Sequence, residues 1–150
     1  KHKVTFLIND RVDVALVSNA DGVHLGKEDI SIKEARKLLG RNKIIGGTAH
    51  SLAEAKKCEK DGADYIGYGH IYPTKTKYKP EKPKGTEQLK LIVSKTGIPV
   101  IAIGGISPEN IEDVMATGVY GAAVVGSVLK SDNPISSLKH LRKKIYDRKK

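Results

Sequence analysis

The chain has no Trp, one Phe, one Met and one Cys among its 150 residues. With so few large aromatics, a core has to be built mainly from Ile, Val, Leu and Ala. The lone Cys58 lies in the charged stretch "AEAKKCEKDG". It excludes a disulfide framework, suits a reducing cytoplasm and reads as a passive helix residue. No run of about 20 apolar residues occurs, so no membrane partner is expected. The opening "KHKVTFLIND" lacks the charged, apolar and small-residue order of a signal peptide. No Cys/His spacing fits zinc. No G-x-G-x-x-G follows the first apolar run, which argues against an open dinucleotide-binding sheet.

What the chain has in excess is positive charge, +10 net. Part of it is Lys75, Lys77, Lys79, Lys82 and Lys84 in "GHIYPTKTKYKPEKPKG", residues 69–85. The rest is concentrated in the C-terminal "LKHLRKKIYDRKK", where Leu138, Leu141 and Ile145 recur at helical spacing. That spacing favours a packed final helix with solvated lysines over a nucleic-acid arm, and no nucleic-acid partner is expected.

Short β-branched runs alternate with segments of helical period. The runs are "VTFLI" (4–8), "GVHL" (22–25), "KIIGGT" (43–48), "DYIGYG" (64–69), "IPVIAI" (98–103) and "GAAVVG" (121–126). Ser31, Ser51 and Ser107 precede helical patterns and are expected to start them, with Pro108 in the first turn. A Gly in each of "NADG", "DGAD" and "TGVYG" is expected just past a helix end, where a left-handed backbone costs glycine little. This βα rhythm predicts an α/β fold of the TIM (β/α)8 type, forming one domain over residues 1–150. It is incomplete: six βα units are visible, whereas a closed eight-stranded barrel takes about 200 residues or more.

In such a barrel the chemistry sits past the C-terminal ends of the strands. Those positions hold Asn9 and Asp10, then His24 and Asp29, then Thr48 and His50. After the fourth strand comes the lysine-rich loop, and after the last two come Gly104-Gly105 and Val125-Gly126-Ser127. Glycine turns running into helices after the last two strands can present backbone N–H groups to a phosphate; the bland alternative is a tight turn and no more. Asp10 and Asp29 could converge on Mg2+, or could each cap a helix. His50 could be a general acid/base or a structural, hydrogen-bonded His, and His70 has the same two readings. Tyr65, Tyr68 and Tyr72 read first as core and loop packing.

Together, "LINDRVDVAL", "ADGVHLGKED", "GADYIGYGHIYPTKTK", "VIAIGGISPEN" and "GAAVVGSVL" resemble the thiamine phosphate synthase and thiazole tautomerase family, in the family's order and spacing. The resemblance implies a transferase of thiamine biosynthesis that joins hydroxymethylpyrimidine diphosphate to a thiazole phosphate and releases pyrophosphate with Mg2+. It implies a diphosphate contact for Asn9, Mg2+ ligation by Asp10 and Asp29, and a pyrophosphate contact for Thr48, where synthases usually carry Ser. Thr74, Thr76 and Lys77 match its P-T-x-T-K phosphate loop, with Lys77 also placed to assist the leaving group. Gly105, Val125 and Gly126 fall at its thiazole-phosphate site. The expected partners are small phosphate and diphosphate substrates, in the cytoplasm, with a homo-oligomer as one further option.

Three departures qualify that likeness. The family's first two βα units have no counterpart, and the second of them normally carries the Gln, Arg and Lys that grip the pyrimidine diphosphate. The chain is therefore expected to be a fragment, to be completed by another chain, or to lack the activity. Lys27 stands where Gln is common. His70 stands where synthases have Pro, and "GH" is reminiscent of tautomerases, for which His50 would be the proton shuttle. A thiazole phosphate tautomerase, or a non-catalytic phosphate-binding or regulatory homologue, are accordingly the alternatives to the synthase. Lys79 to Lys84 read as a solvated hinge able to cover the site.

Overall fold

The computed structural model describes residues 4–74, 76 and 80–146. Strands and helices alternate as β1 (Leu7–Asn9), α1 (Val12–Val17), β2 (Gly22–Leu25), α2 (Ile32–Leu39), β3 (Ile44–Ala49), α3 (Leu52–Lys60) and β4 (Tyr65–Gly69). They continue as α4 (Gly85–Lys95), β5 (Val100–Ile103), α5 (Ile111–Ala116), β6 (Gly121–Ala123), α6 (Gly126–Leu129) and α7 (Pro134–Tyr146). The strand order is β1-β2-β3-β4-β5-β6, and β1–β2, β2–β3 and β5–β6 pair in parallel. Sequential neighbours in a parallel sheet are what successive βα units produce.

The residues fall into two compact units. The first takes residues 1–67 and 96–98, and the second takes 68–95 and 99–150. In the first, Val23, Leu25 and Ile45 point inward from β2 and β3 with no more than 1% exposure, against Ala15 and Ala35 of the covering helices. Each such side chain contributes about 1.5–3 kcal/mol by leaving water. In the second, Tyr68, Ile71, Leu89, Ile92 and Val114 are buried in the same sense.

Helix starts follow the serine signal in two of three places. Ser31 forms a reciprocal capping box with Glu34, and the Ser51 hydroxyl accepts from the Glu34-equivalent position of its own helix, the Glu54 N–H, at 3.2 Å. At Ser107 the expectation fails. Residues 107–110 form a turn, with the Asn110 and Ile111 N–H groups donating to the Ser107 carbonyl, and α5 begins only at Ile111. The glycine expectation holds at Gly62 (φ 91°) and Gly118 (φ 83°) but not at Gly22: after α1 the left-handed residue is Asn19 (φ 49°). Asn tolerates that conformation through its short polar side chain, leaving Gly22 inside β2.

Strand ends shift as well. β1 starts later than expected, since Phe6 donates its N–H to the Asp21 carboxylate at 2.7 Å. β6 stops at Ala123, so Val125 and Gly126 belong to the turn that opens α6. The last helix buries Leu141 and half-buries Ile145, as expected, whereas Leu138, expected beside them, is exposed.

Candidate functional site

The first unit gathers polar groups past its strand ends. Asn9 ends β1 opposite His24 of β2. Asp10 follows with φ 66°, and its N–H donates to the His24 carbonyl at 2.8 Å. A left-handed aspartate just past a strand is uncommon and points at function more readily than at packing. Its side chain does not cap α1, whose first turn carries no side-chain cap. Asp29 does not cap α2 either; its Oδ2 accepts from the Gly26 N–H at 2.6 Å, closing the turn after β2.

His24 occupies the middle of this group. Its Nε2 lies 2.9 Å from Thr48 Oγ1 and its Nδ1 2.9 Å from the Tyr65 hydroxyl, with its ring stacked on the Tyr65 ring. Burial pushes the imidazole pKa below its usual value, and the negative charges of Asp10 and Asp29 pull it back up. Both carboxylates are thus within electrostatic reach of one imidazole. Tyr65, expected to be packing only, is a hydrogen-bonding member of the group, and burial raises its phenol pKa. Two strand glycines make the room: a methyl group at Gly46 would stand 2.1 Å from the Tyr65 ring, and one at Gly67 2.8 Å from His24 Cε1. Neither His24 nor Tyr65 stands out by residue type alone, but glycines within neighbouring strands were a readable signal of close approach.

The donor set suits Mg2+ more than a softer ion. Among the described residues no group of three or more His, Cys, Asp or Glu is placed to hold a metal. Mg2+ needs only one or two carboxylates, with water and phosphate oxygens completing its shell. Asp29 retains Oδ1 outside its turn bond, and Asp10 is exposed. His50 lies just beyond β3, where its N–H donates to Glu54 Oε2 at 2.7 Å at the start of α3.

The second unit holds a separate group of small residues and hydroxyls. Gly104 (φ 95°) and Gly105 (φ 68°) turn the chain after β5. The segment after β4 lies directly on them: Tyr72 N–H donates to the Gly104 carbonyl at 3.0 Å, and a methyl group at Gly105 would stand 2.5 Å from the Pro73 carbonyl oxygen. Further along, Thr74 Oγ1 accepts from the Thr76 N–H at 3.2 Å. A methyl group at Gly126 would stand 3.3 Å from Thr76 Oγ1. Thr74, Thr76, Gly105, Val125 and Gly126 are therefore brought together within the second unit. Lys77 lies outside the described residues.

One further residue escaped the sequence reading. Asn110 braces the glycine turn, donating from Nδ2 to the Gly105 carbonyl and accepting from the Ser107 N–H, both at 2.9 Å. Ser127, in the first turn of α6, has a buried hydroxyl with no protein partner among the described residues. His70 is buried with its Cβ against Gly104, a packing position. The 69–85 segment is held at its far end, where Lys84 N–H donates to the His70 carbonyl at 2.8 Å.

The model of a family described as thiamine monophosphate synthase matches residues 1–128. The thiamine-phosphate synthase of Clostridium novyi is 50% identical over 133 residues, 89% of this chain and 65% of that protein. The one from Chlorobium luteolum is 47% identical over 136 residues, 91% of this chain and 64% of that protein. The chain thus spans just under two thirds of the length of these curated relatives. A solved structure of thiamine phosphate pyrophosphorylase from Pyrococcus furiosus superposes with a TM-score of 0.88 at 42% identity, covering 96% of this chain and 68% of that one. The fold is accordingly α/β of the TIM-barrel type with six βα units, short of the full eight.

Proposed function

We propose that this chain, which belongs to the thiamine monophosphate synthase family, carries the binding groups of a thiamine phosphate synthase. The reaction joins hydroxymethylpyrimidine diphosphate to a thiazole phosphate and expels pyrophosphate. The observation that carries the reading is the second unit's cluster, in which Thr76 lies against Gly126, and Gly105 against the carbonyls of Tyr72 and Pro73. Small residues and hydroxyls at paired glycine turns are suited to a phosphate, and the partnerless Ser127 hydroxyl beside Gly126 adds a donor. Thr74, Thr76, Gly105, Val125 and Gly126 are assigned to the thiazole phosphate.

In the first unit, Asn9 and Thr48 are assigned to the diphosphate, and Asp10 and Asp29 are the residues that would hold Mg2+. Bound there, the ion would supply positive charge to the departing pyrophosphate. Lys77 is assigned the same electrostatic task from its place in the P-T-x-T-K signature. As pyrophosphate leaves, positive charge develops on the pyrimidine methylene carbon. The thiazole nitrogen supplies the electron pair for the new C–N bond, and holding its phosphate fixed limits the search for that geometry. The single buried thiol of Cys58 fits a reducing cytoplasm, the compartment proposed. No helix among the described residues is long and apolar enough to cross a membrane.

The test incubates the chain with the pyrimidine diphosphate, the thiazole phosphate and Mg2+, and measures thiamine phosphate and pyrophosphate. Inorganic pyrophosphate binding is followed in parallel by calorimetry, and self-association by sedimentation. Expected is Mg2+-dependent pyrophosphate binding that Asp10→Asn and Asp29→Asn each weaken. Thiamine phosphate formation is expected from the chain or from its self-associated form. The absence of both turnover and pyrophosphate binding would sink the reading. Thiazole phosphate isomerisation lost in His50→Ala would replace it with the tautomerase.

A further inference from the structure

The polar group around His24 has a direction that the hydrogen-bond distances alone do not give, but proton counting does. Tyr65 is half-buried, and its hydroxyl makes one hydrogen bond among the described residues, to His24 Nδ1 at 2.9 Å. A phenol carries a single O–H proton, and the acceptor that this one meets is the Nδ1 lone pair. Were Nδ1 protonated, the phenol oxygen would accept from it through a lone pair, and the phenol's own proton would have no acceptor among the described residues. Buried donors left without an acceptor are disfavoured. With Nδ1 as the acceptor and the ring's proton on Nε2, the phenol proton is paired.

That assignment fixes the next link. In that tautomer Nε2–H donates to Thr48 Oγ1, 2.9 Å away, so the threonine hydroxyl accepts there and keeps its own proton for something else. We infer that Tyr65 and His24 form an oriented relay whose purpose is to leave the Thr48 hydroxyl as a donor facing an anion. Both are positioning residues: neither touches the anion, and both act through Thr48. The inference rests on the reading above that Thr48 faces the diphosphate. With the opposite tautomer Thr48 would donate to Nε2 and offer an anion only lone pairs.

The surroundings are shaped to hold the relay in place. The His24 and Tyr65 rings stack with centroids 5.4 Å apart. Gly67 and Gly46 provide the space each ring occupies, since a side chain at either would overlap it. All three relay residues and both glycines sit on β2, β3 and β4 within one compact unit, on backbone fixed by strand pairing. Strand placement suits a group whose direction must not drift.

The relay is tested first without any ligand. Nitrogen-15 spectra of the full chain at pH 7.5, with the His24 signals identified by their loss in His24→Gln, report which ring nitrogen carries the proton. Expected is a protonated Nε2 and an unprotonated Nδ1, with that preference lost in Tyr65→Phe. A protonated Nδ1, or a preference untouched by Tyr65→Phe, overturns the relay. The second arm titrates inorganic pyrophosphate in Mg2+. Thr48→Val is expected to weaken binding about tenfold and Tyr65→Phe about threefold. The double variant should bind no more weakly than Thr48→Val alone, and Thr48→Ser should restore binding. Additive losses would mean that Tyr65 does not act through Thr48 and overturn the relay. A wild-type chain that shows the expected tautomer but binds no pyrophosphate contradicts the diphosphate reading of Thr48, and is thereby told apart from a failed relay.

Discussion

The methyl group that Gly105 lacks would stand 2.5 Å from the carbonyl oxygen of Pro73. The glycine turn after β5 and the segment after β4 are thus in backbone contact, and no other residue fits at position 105. Gly105→Ala is expected to push the two apart and to weaken inorganic phosphate binding at least about tenfold, measured by calorimetry. Gly118→Ala is the control. It shares the positive φ, at 83°, but its methyl would meet only Val93 Cγ1 at 3.7 Å. It should lower stability by about 1–2 kcal/mol, the left-handed penalty, and leave phosphate binding intact.

Asn110 holds the same turn from the helix side. Asn110→Ala removes both side-chain bonds to the 105–107 backbone and is expected to cost about 1–2 kcal/mol in urea unfolding, with weaker phosphate binding. Asn110→Asp keeps the acceptor for the Ser107 N–H and loses the donor to the Gly105 carbonyl. It also puts a negative charge near the phosphate position, so its binding loss should exceed that of Asn110→Ala while its stability loss is smaller.

Gly67→Ala addresses the first unit. A methyl there would overlap His24 Cε1 at 2.8 Å and force the imidazole off its bonds to Thr48 and Tyr65. Expected are a changed His24 nitrogen spectrum and weaker pyrophosphate binding, with phosphate binding by the second unit unchanged. Equal loss of both ligands would mean general unfolding.

Asp61 gives a stability signal in acid. Its pKa is held below the ordinary 3.8 chiefly by the hydrogen bond from Lys57, with Lys33 adding to it. A depressed carboxyl stabilises the native state above the unfolded pKa, and that contribution disappears as pH falls through the lower native value. The stability gap between wild type and Asp61→Asn should therefore be constant above about pH 5, shrink below the ordinary carboxylate pKa and close in stronger acid. Denaturant melts from pH 7 to 2 measure it; a gap independent of pH would remove Asp61 from the acid response.

Cys58 is buried, its Sγ donates to the Thr48 carbonyl at 3.7 Å, and burial raises its pKa. A thiol held protonated is a poor nucleophile. Reaction with a disulfide reagent at pH 7.5 should be at least about tenfold slower than for free cysteine and should become fast in urea. Rapid labelling of the folded chain would contradict the burial.

The βα order and most of the strand positions were legible because parallel strands are short apolar runs and their helices carry serine and glycine signals at the ends. Ser31 and Ser51 behave as such signals, whereas Ser107 does not, because Pro108 and Asn110 set up a turn of their own before the helix. Asn19 took the left-handed place assigned to Gly22, which is confined within its strand: a methyl at Gly22 would stand 1.9 Å from the Ile44 carbonyl oxygen. The candidate residues were legible as strand-end positions, and Thr76 with Gly126 could be anticipated from their order. The pairing of Tyr65 with His24 went unread, although the glycines on neighbouring strands that leave it space were a signal of close approach. Asn110 was hidden because its partners are backbone atoms, which no side-chain pattern announces.

The segment that begins "GHIYPTKTK" is tied down at both ends. Tyr72 N–H bonds to the Gly104 carbonyl, and the Lys84 and Gly85 N–H groups bond to the carbonyls of His70 and Ile71. Entry and exit of the loop therefore meet on the same two backbone positions, so the stretch between them closes a ring whose length is nearly free. Each doubling of such a ring costs only about 0.6 kcal/mol in chain entropy. Evolution, or a protein engineer, can lengthen, shorten or graft the part of that stretch beyond Lys77 while the threonines at its start stay anchored beside the glycine turn.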